Sequence, residues 1–166
     1  MLAVLENLAL LEMENVVLVT LAVITATVTG VMVGVEFAVA VFVNPIQRRL
    51  PVGSWIEVTA AGGRVLGRVM PFWYIGATLL TAWLAAAQWG GTAGDAAVAA
   101  AGLLIVSVVM SVTLLVPINN RIITWTADNH PADWREQHQR WDRLHYARVA
   151  ILIAAFVLTL VAGTVS

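Results

Sequence analysis

Apolar residues occupy four long runs along the chain, and a polar stretch separates each run from the next. The runs cover about residues 16–43, 68–89, 96–116 and 144–164. The hydrocarbon core of a bilayer needs about 20 apolar residues in a helix, so each run predicts one transmembrane helix. The pattern therefore predicts an all-α fold, a four-transmembrane-helix bundle that forms a single integral membrane domain over residues 1–166.

The composition supports a membrane protein and excludes several other classes. The chain is 60% hydrophobic and 11% charged, too few charges to cover a soluble domain of this length. The net charge of −1 gives no general attraction to nucleic acid, and the absence of cysteine excludes disulfides and thiolate metal sites. We therefore expect the lipid bilayer and an apolar small molecule as partners, and no nucleic acid.

The positions of the arginines predict the orientation. All nine flank the two long loops, and neither the termini nor the hairpin at residues 90–95 contains any. Basic residues concentrate on the cytoplasmic side of bacterial membrane proteins. The sequence therefore predicts that both long loops are cytoplasmic and both termini are outside (N-out/C-out), in a multi-pass protein of the bacterial inner membrane.

Three helical features are expected outside the spans. One is a short acidic helix at residues 1–15, and the other two lie at the cytoplasmic end. The first cytoplasmic loop contains Ser54-Trp-Ile-Glu57, a capping-box pattern, which predicts a short helix from Trp55 to a stop at Gly62-Gly63. No helix breaker interrupts residues 132–162, so the fourth helix is predicted to be about 46 Å long. Its first three turns would extend into the cytoplasm, with His138 as a surface residue.

Glu36 is the one ionisable residue deep inside the first span. It lies about 11 Å from the Pro45 end, where an unpaired carboxylate is costly, so it should face the bundle interior and have a partner. The best candidate is Arg148, at the start of the fourth span. Small residues four apart in the same span, including Gly30 and Gly34, favour close packing within the bundle. A homo-oligomer through this stripe is the alternative.

Polar residues near the cytoplasmic ends of different spans predict a pocket at that end of the bundle. On the fourth helix His145 faces this mouth, and Asp142, one turn earlier, is expected to fix its tautomer. No cofactor is predicted, but a metal ion held by Glu36 and His145, completed by water or a second subunit, is kept as an alternative. The other polar residues at this end are Asn44, Arg68, Asn119, Asn120 and Arg148.

Two short motifs at this end resemble those of a known family. They are Pro117-Ile-Asn119-Asn120-Arg121 and Arg140-Trp141-Asp-Arg-Leu-His145-Tyr-Ala-Arg148. In this order and topology, over about residues 16–165, they resemble the anthrone-oxygenase-like membrane family, much of which is filed as a domain of unknown function. Glu36 matches no position of the family pattern, so its role depends on its depth alone.

The resemblance implies an oxygenase that oxidises an anthrone- or quinone-like aromatic to a quinone without a conventional flavin or haem. In that reading His145 is the general base, and Arg148 and Asn119 stabilise the resulting anion. The remaining site residues are Glu36 as a catalytic group and Trp141, Trp73, Asn44 and Asn120 as substrate-binding groups.

A non-enzymatic reading stays open beside the oxygenase. The chain would then be a membrane module that binds a lipid, a quinone or a partner protein. In that case the Glu36, His145 and Arg148 cluster would be only a structural lock.

Overall fold

The computed structural model describes residues 1–165, and in this part of the chain every regular element is helical. The elements are six α-helices and two short π-helical turns, which are named π1 and π2. In chain order the elements are α1 (Leu2–Ala38), π1 (Val39–Val43), α2 (Asn44–Gln47), α3 (Val52–Ala87), α4 (Thr92–Met110), π2 (Ser111–Leu115), α5 (Val116–Ile122) and α6 (Trp134–Thr164).

Four helical stretches are long and apolar enough to cross a membrane, which confirms the four predicted spans and indicates a multi-pass membrane protein. They are Val4–Gln47, Val52–Ala87, Thr92–Ile122 and Trp134–Thr164. Helix α1 packs against α3 and α6, and α4 packs against the same two helices. The result is a four-helix bundle in which each long helix contributes to one interior.

The interior consists of three groups of apolar side chains along the bundle axis. The central group contains Met32, Leu104 and Leu152. A second group of small and branched residues, including Leu84 and Ala97, closes the end that carries the termini. The third group is aromatic and lies at the opposite end, beside the two long loops. Its buried members are Trp55, Ile56, Ile122 and Trp125.

Both π turns end two residues before a proline, Pro45 in one case and Pro117 in the other. The backbone N–H of Asn44 bonds to the Val39 carbonyl, and that of Val116 bonds to the Ser111 carbonyl, five residues back in each case. A wider turn relieves the clash of a proline ring with the preceding turn. The first and third spans therefore continue past Pro45 and Pro117, where the sequence had predicted that they end.

The predicted short helix of the first loop is wrong, because α3 is continuous from Val52 to Ala87 and includes Gly62 and Gly63. No capping box forms, since the helix begins after Pro51 without a side-chain cap. Glycine inside a helix costs only about 1 kcal/mol. Here the close approach of α5 offsets that cost, because a Cβ added at Gly63 would stand 2.9 Å from Cγ2 of Ile123.

Helix α6 is unbroken as predicted, but its first turns are not a free stalk. The indole ring of Trp134 lies 4.6 Å from that of Trp55, measured between centroids. His138 is only 4% exposed and packs edge-on against Trp55. The prediction of a surface His138 is therefore wrong, because the start of α3 projects from the bundle beside α6 and covers it.

At the other end of the bundle, residues 1–15 form no separate helix. They belong to the continuous helix α1 from Leu2 onward, and residues 4–15 are solvent-exposed. Within α1 the small-residue stripe is used for packing, as the sequence favoured. A Cβ added at Gly30 would lie 2.9 Å from the ring of Phe156, whereas Gly34 has open space around it.

Adjacent glycines in α3 allow a matched test of this packing. Gly63→Ala should lower the free energy of unfolding by about 1–3 kcal/mol, because the new Cβ overlaps Ile123 and the Asn119 side chain. Gly62→Ala should raise it by about 0.5–1 kcal/mol, because its Cβ meets no atom within 4 Å. Thermal unfolding in detergent micelles measures both. Equal effects of the two substitutions would contradict the close contact between α3 and α5.

Candidate functional site

A cavity of about 310 Å³ opens between the helices at the end of the bundle that carries the long loops. This volume lies at the lower end of the range of small-molecule sites, about 300–1,000 Å³. Its walls are mainly apolar, with polar groups gathered on one side. The apolar lining includes Val35, Val39, Leu66, Met70, Val108, Val112 and Leu115, and the polar lining includes Glu36, Asn44, Tyr74, Ser111, Asn119, His138, His145 and Arg148.

The Glu36 carboxylate is the centre of the polar wall, and it is 4% exposed. Its Oε2 accepts a hydrogen bond from Nη2 of Arg148 at 2.5 Å, so the ion pair predicted from the sequence is present. Its Oε1 accepts a hydrogen bond from the Tyr74 hydroxyl at 3.0 Å. The carboxylate thus accepts hydrogen bonds from two helices, α3 and α6. These bonds offset the free-energy cost of burying its charge inside the bundle.

Arg148 connects this carboxylate to two further groups. Its Nη1 donates to Oγ of Ser111, the first residue of π2, at 3.1 Å. Its Nη2 also lies 2.9 Å from Nδ1 of His145, one helical turn away. The guanidinium carbon is 5.7 Å from the centre of the Tyr74 ring, within cation–π range. One cation therefore joins the first, third and fourth spans.

The contact with Arg148 assigns the protonation of His145. A guanidinium has donors only, so Nδ1 at 2.9 Å must accept, and the ring is neutral with its proton on Nε2. Nε2 is buried and has no hydrogen-bond partner among the described residues. The ring stacks on Trp141 with a centroid separation of 4.6 Å. In this arrangement His145 has no free lone pair with which to act as a base.

Asp142 does not set the tautomer of His145, so that expectation is wrong. Its Oδ1 accepts a hydrogen bond at 2.8 Å from the amide of Asn44, which follows π1. Its Oδ2 lies 3.4 Å from Nε2 of His138 and 3.5 Å from Nη2 of Arg48. Although residues 142 and 145 are only three apart, Asp142 faces Asn44 on α2 and His138 on its own helix, not His145.

Six of the eight residues predicted for the site line this one cavity, and two lie elsewhere. The indole N–H of Trp73 donates to the Val28 carbonyl at 3.1 Å, and its ring packs against the central core. Asn120 is exposed on α5, next to the lining Asn119. The six lining residues are Glu36, Asn44, Asn119, Trp141, His145 and Arg148.

The donor set at Glu36 and His145 does not suit a metal ion. The guanidinium of Arg148 lies within hydrogen-bond distance of both Oε2 and Nδ1, the two atoms that would bind the ion. A cation there would have to displace a fixed positive charge. Among residues 1–165, no three His, Asp or Glu side chains gather closely enough to hold a metal.

Two residues that bond to the ion pair, Tyr74 and Ser111, were not among the residues predicted for the site. A usable signal existed for Tyr74, because a phenol inside a span needs a hydrogen-bond partner and Glu36 needed a donor. No sequence signal marks Ser111, whose position depends on the π turn before Pro117.

Removing one member of the buried ion pair should strongly destabilise the bundle. Arg148→Ala leaves the Glu36 carboxylate buried with only the Tyr74 bond, and we expect a loss of about 3–5 kcal/mol in unfolding free energy. The double variant Glu36→Gln/Arg148→Met removes both charges and should lose less than Arg148→Ala. Thermal unfolding in detergent measures these differences.

The matched control is Arg143→Ala, which removes an exposed arginine from the same helix. It should change unfolding by less than about 0.5 kcal/mol. An unchanged melting temperature for Arg148→Ala would contradict the account of the ion pair.

Comparison with known proteins identifies a family for this chain. A family model described as anthrone oxygenase matches residues 55–158. Comparisons with curated proteins and with solved structures gave no match. The matched segment contains Asn119, Trp141, His145 and Arg148, whereas Glu36 lies outside it. Because the match covers more than half of the chain, the protein belongs to the anthrone oxygenase family.

Proposed function

We propose that this protein is a membrane-embedded oxygenase that uses O₂ to oxidise an apolar, anthrone- or quinone-like aromatic. The observation that carries the proposal is the apolar cavity with the Glu36, Arg148 and His145 cluster in one wall. Family membership supports the reaction class. The apolar walls suit a planar aromatic, and the polar wall suits the charge that develops during its oxidation.

In this proposal the oxygen of the substrate is bound at the polar wall. Arg148 and the Asn119 amide are donors, and they stabilise the negative charge that forms there when the substrate becomes an enolate. Trp141 lines the cavity beside His145 and provides an aromatic surface for the rings. Asn44 lines the same cavity and is held by Asp142. Trp73 is left out of the proposal, because it lies outside the cavity.

His145 acts as the general base after a change of partner. When the carbonyl oxygen of the bound substrate accepts a hydrogen bond from Arg148 and draws it away, Nδ1 loses its donor and faces Oε2 of Glu36, 3.4 Å away. The ring then releases its Nε2 proton to a water molecule and takes up a proton at Nδ1, where it bonds to Glu36, so that Nε2 has a free lone pair. Glu36 thus orients and supports the imidazole, as a carboxylate does in other acid–base sites.

The overall reaction balances without a cofactor. His145 removes one proton from the activated CH₂ group, and the resulting enolate is oxidised by O₂ with formation of a C–O bond. The proton returns to the peroxide. Loss of the second C–H proton with cleavage of the O–O bond gives a carbonyl and one water molecule. The carbon is oxidised by four electrons, and O₂ is reduced by the same four.

The proposal places the cavity mouth at the cytoplasmic face of a bacterial inner membrane. The arginines lie in or near the two connections that join the spans at this end, and the 90–95 hairpin at the other end has none. The positive-inside rule then gives N-out/C-out. An apolar substrate would enter from the inner leaflet.

A second candidate function is a binding module without chemistry. It is favoured by one observation: Glu36 and Arg148 satisfy each other, and Nε2 of His145 is buried. The cluster would then only lock the spans together. In this case the purified protein binds an anthrone in the cavity but consumes no O₂.

The role of His145 can be tested by O₂ consumption with an anthrone as substrate. His145→Ala should lower kcat by about 10²–10⁴-fold, the usual contribution of a general base. Glu36→Gln should also lower kcat, because a neutral amide supports the protonated imidazole less well. His130→Ala, on the exposed second loop, is the control and should keep full activity. Unchanged turnover of His145→Ala would remove His145 as the base.

Substitution of two tryptophans tests whether the substrate binds in the cavity. Trp141→Leu should raise KM about tenfold, because one aromatic contact is lost from the cavity wall. Trp73→Phe should leave KM unchanged, since its ring packs in the core and does not line the cavity. Steady-state kinetics with the same substrate measures both. Equal changes in KM would contradict the proposed position of the substrate.

A further inference from the structure

A second cavity, the Arg crevice, lies beside the first at the same end of the bundle. It has a volume of about 230 Å³ and is formed by the α2–α3 connection, the start of α3 and the first turns of α6. His138 lines both cavities and is the wall between them. The crevice is lined by Arg48, Leu50, Val52, Trp55, Trp134, Arg135, His138, Gln139 and Asp142.

Hydrogen-bond donors dominate the polar lining of the Arg crevice. The Arg48 side chain is 48% exposed, and the exposed Arg135 places its guanidinium 4.4 Å over the Trp134 ring. The Gln139 amide adds further donors. Trp55 is only 3% exposed, and its buried indole N–H has no hydrogen-bond partner among the described residues. A buried donor without an acceptor costs free energy, so this side of the crevice is short of acceptors.

The single carboxylate of the crevice is already engaged. Asp142 accepts a hydrogen bond from Asn44 through Oδ1, and its Oδ2 faces both Arg48 and His138. Its negative charge neutralises at most one of the two arginines, so the positive charge of Arg135 remains without a counter-charge in the crevice. The described residues include no ion pair to Arg135. The crevice therefore has an excess of positive charge and of donors, which is the property of an anion site.

We propose that the Arg crevice binds an anionic phosphate group. Arg48 and Arg135 would hold the phosphate oxygens from opposite elements, with Gln139 as a further donor. Arginine is suited to this task because its planar fork bonds two oxygens at once. The phosphate can belong to an anionic phospholipid headgroup at the membrane surface or to a soluble ligand. This site is separate from the proposed oxygenase chemistry, and its test requires no activity.

The test uses the full-length protein in a neutral detergent. One arm measures binding of inorganic phosphate by isothermal titration calorimetry. The other arm reconstitutes the protein in nanodiscs of phosphatidylcholine with or without phosphatidylglycerol and counts retained lipids by native mass spectrometry. Saturable binding of free phosphate identifies a soluble ligand. Selective retention of phosphatidylglycerol without phosphate binding identifies a headgroup. Either result supports the site.

The chain offers a variant pair with a matched control. Arg48→Gln/Arg135→Gln should weaken binding about tenfold or more, because each arginine contributes a charge-assisted hydrogen bond. Arg49→Gln/Arg140→Gln removes the same charge from exposed neighbours that do not line the crevice, and should weaken binding less than about twofold. Arg135→Gln alone is a second variant that keeps the Arg48–Asp142 contact. Weaker binding by this variant therefore cannot result from the loss of that contact.

Two outcomes would overturn the proposal. One is that neither phosphate nor phosphatidylglycerol binds to the folded wild-type protein. The other is that both double variants weaken binding equally, since that result would mean attraction by general surface charge.

Discussion

The buried pair of Glu36 and Arg148 is the interaction on which the polar end of the bundle depends. A carboxylate and a guanidinium are both costly inside a membrane protein, and each is tolerated here because the other is 2.5 Å away. The remaining hydrogen bonds of these two side chains join further elements of the bundle to the pair. Tyr74 brings α3 to the carboxylate, Ser111 brings π2 to the guanidinium, and His145 adopts the tautomer that the guanidinium requires.

The two π turns connect this pair to the backbone. Each one widens a helix just before a proline, and each contributes to the polar end of the bundle. In π1 the Ala40 carbonyl accepts a hydrogen bond from the Tyr146 hydroxyl at 2.8 Å, and in π2 Ser111 binds Arg148. A regular helix would carry these groups to other angular positions. The prolines therefore shape the cavity although neither Pro45 nor Pro117 lines it.

The structure also divides the residues of α6 between two neighbouring cavities. Trp141, His145 and Arg148 belong to the apolar cavity, whereas Trp134 belongs to the Arg crevice. His138 lies between them, sandwiched by Trp55 and Trp141. The proposed oxygenase site and the proposed anion site are thus neighbours on one helix. Their separation depends on α3, whose first turns cover the first turns of α6.

The sequence alone determined the four spans, the unbroken fourth helix and the pairing of Glu36 with Arg148. Hydrophobic run length fixes a transmembrane helix, and the cost of a buried charge demands a partner, so both follow from local composition. Only the tertiary structure decided that α3 continues through Gly62-Gly63, that His138 is buried and that Trp73 lies outside the cavity. These features depend on which neighbouring helix covers each position. The same holds for the tautomer of His145, because a donor from one turn away, and not the nearest carboxylate in the sequence, occupies its Nδ1.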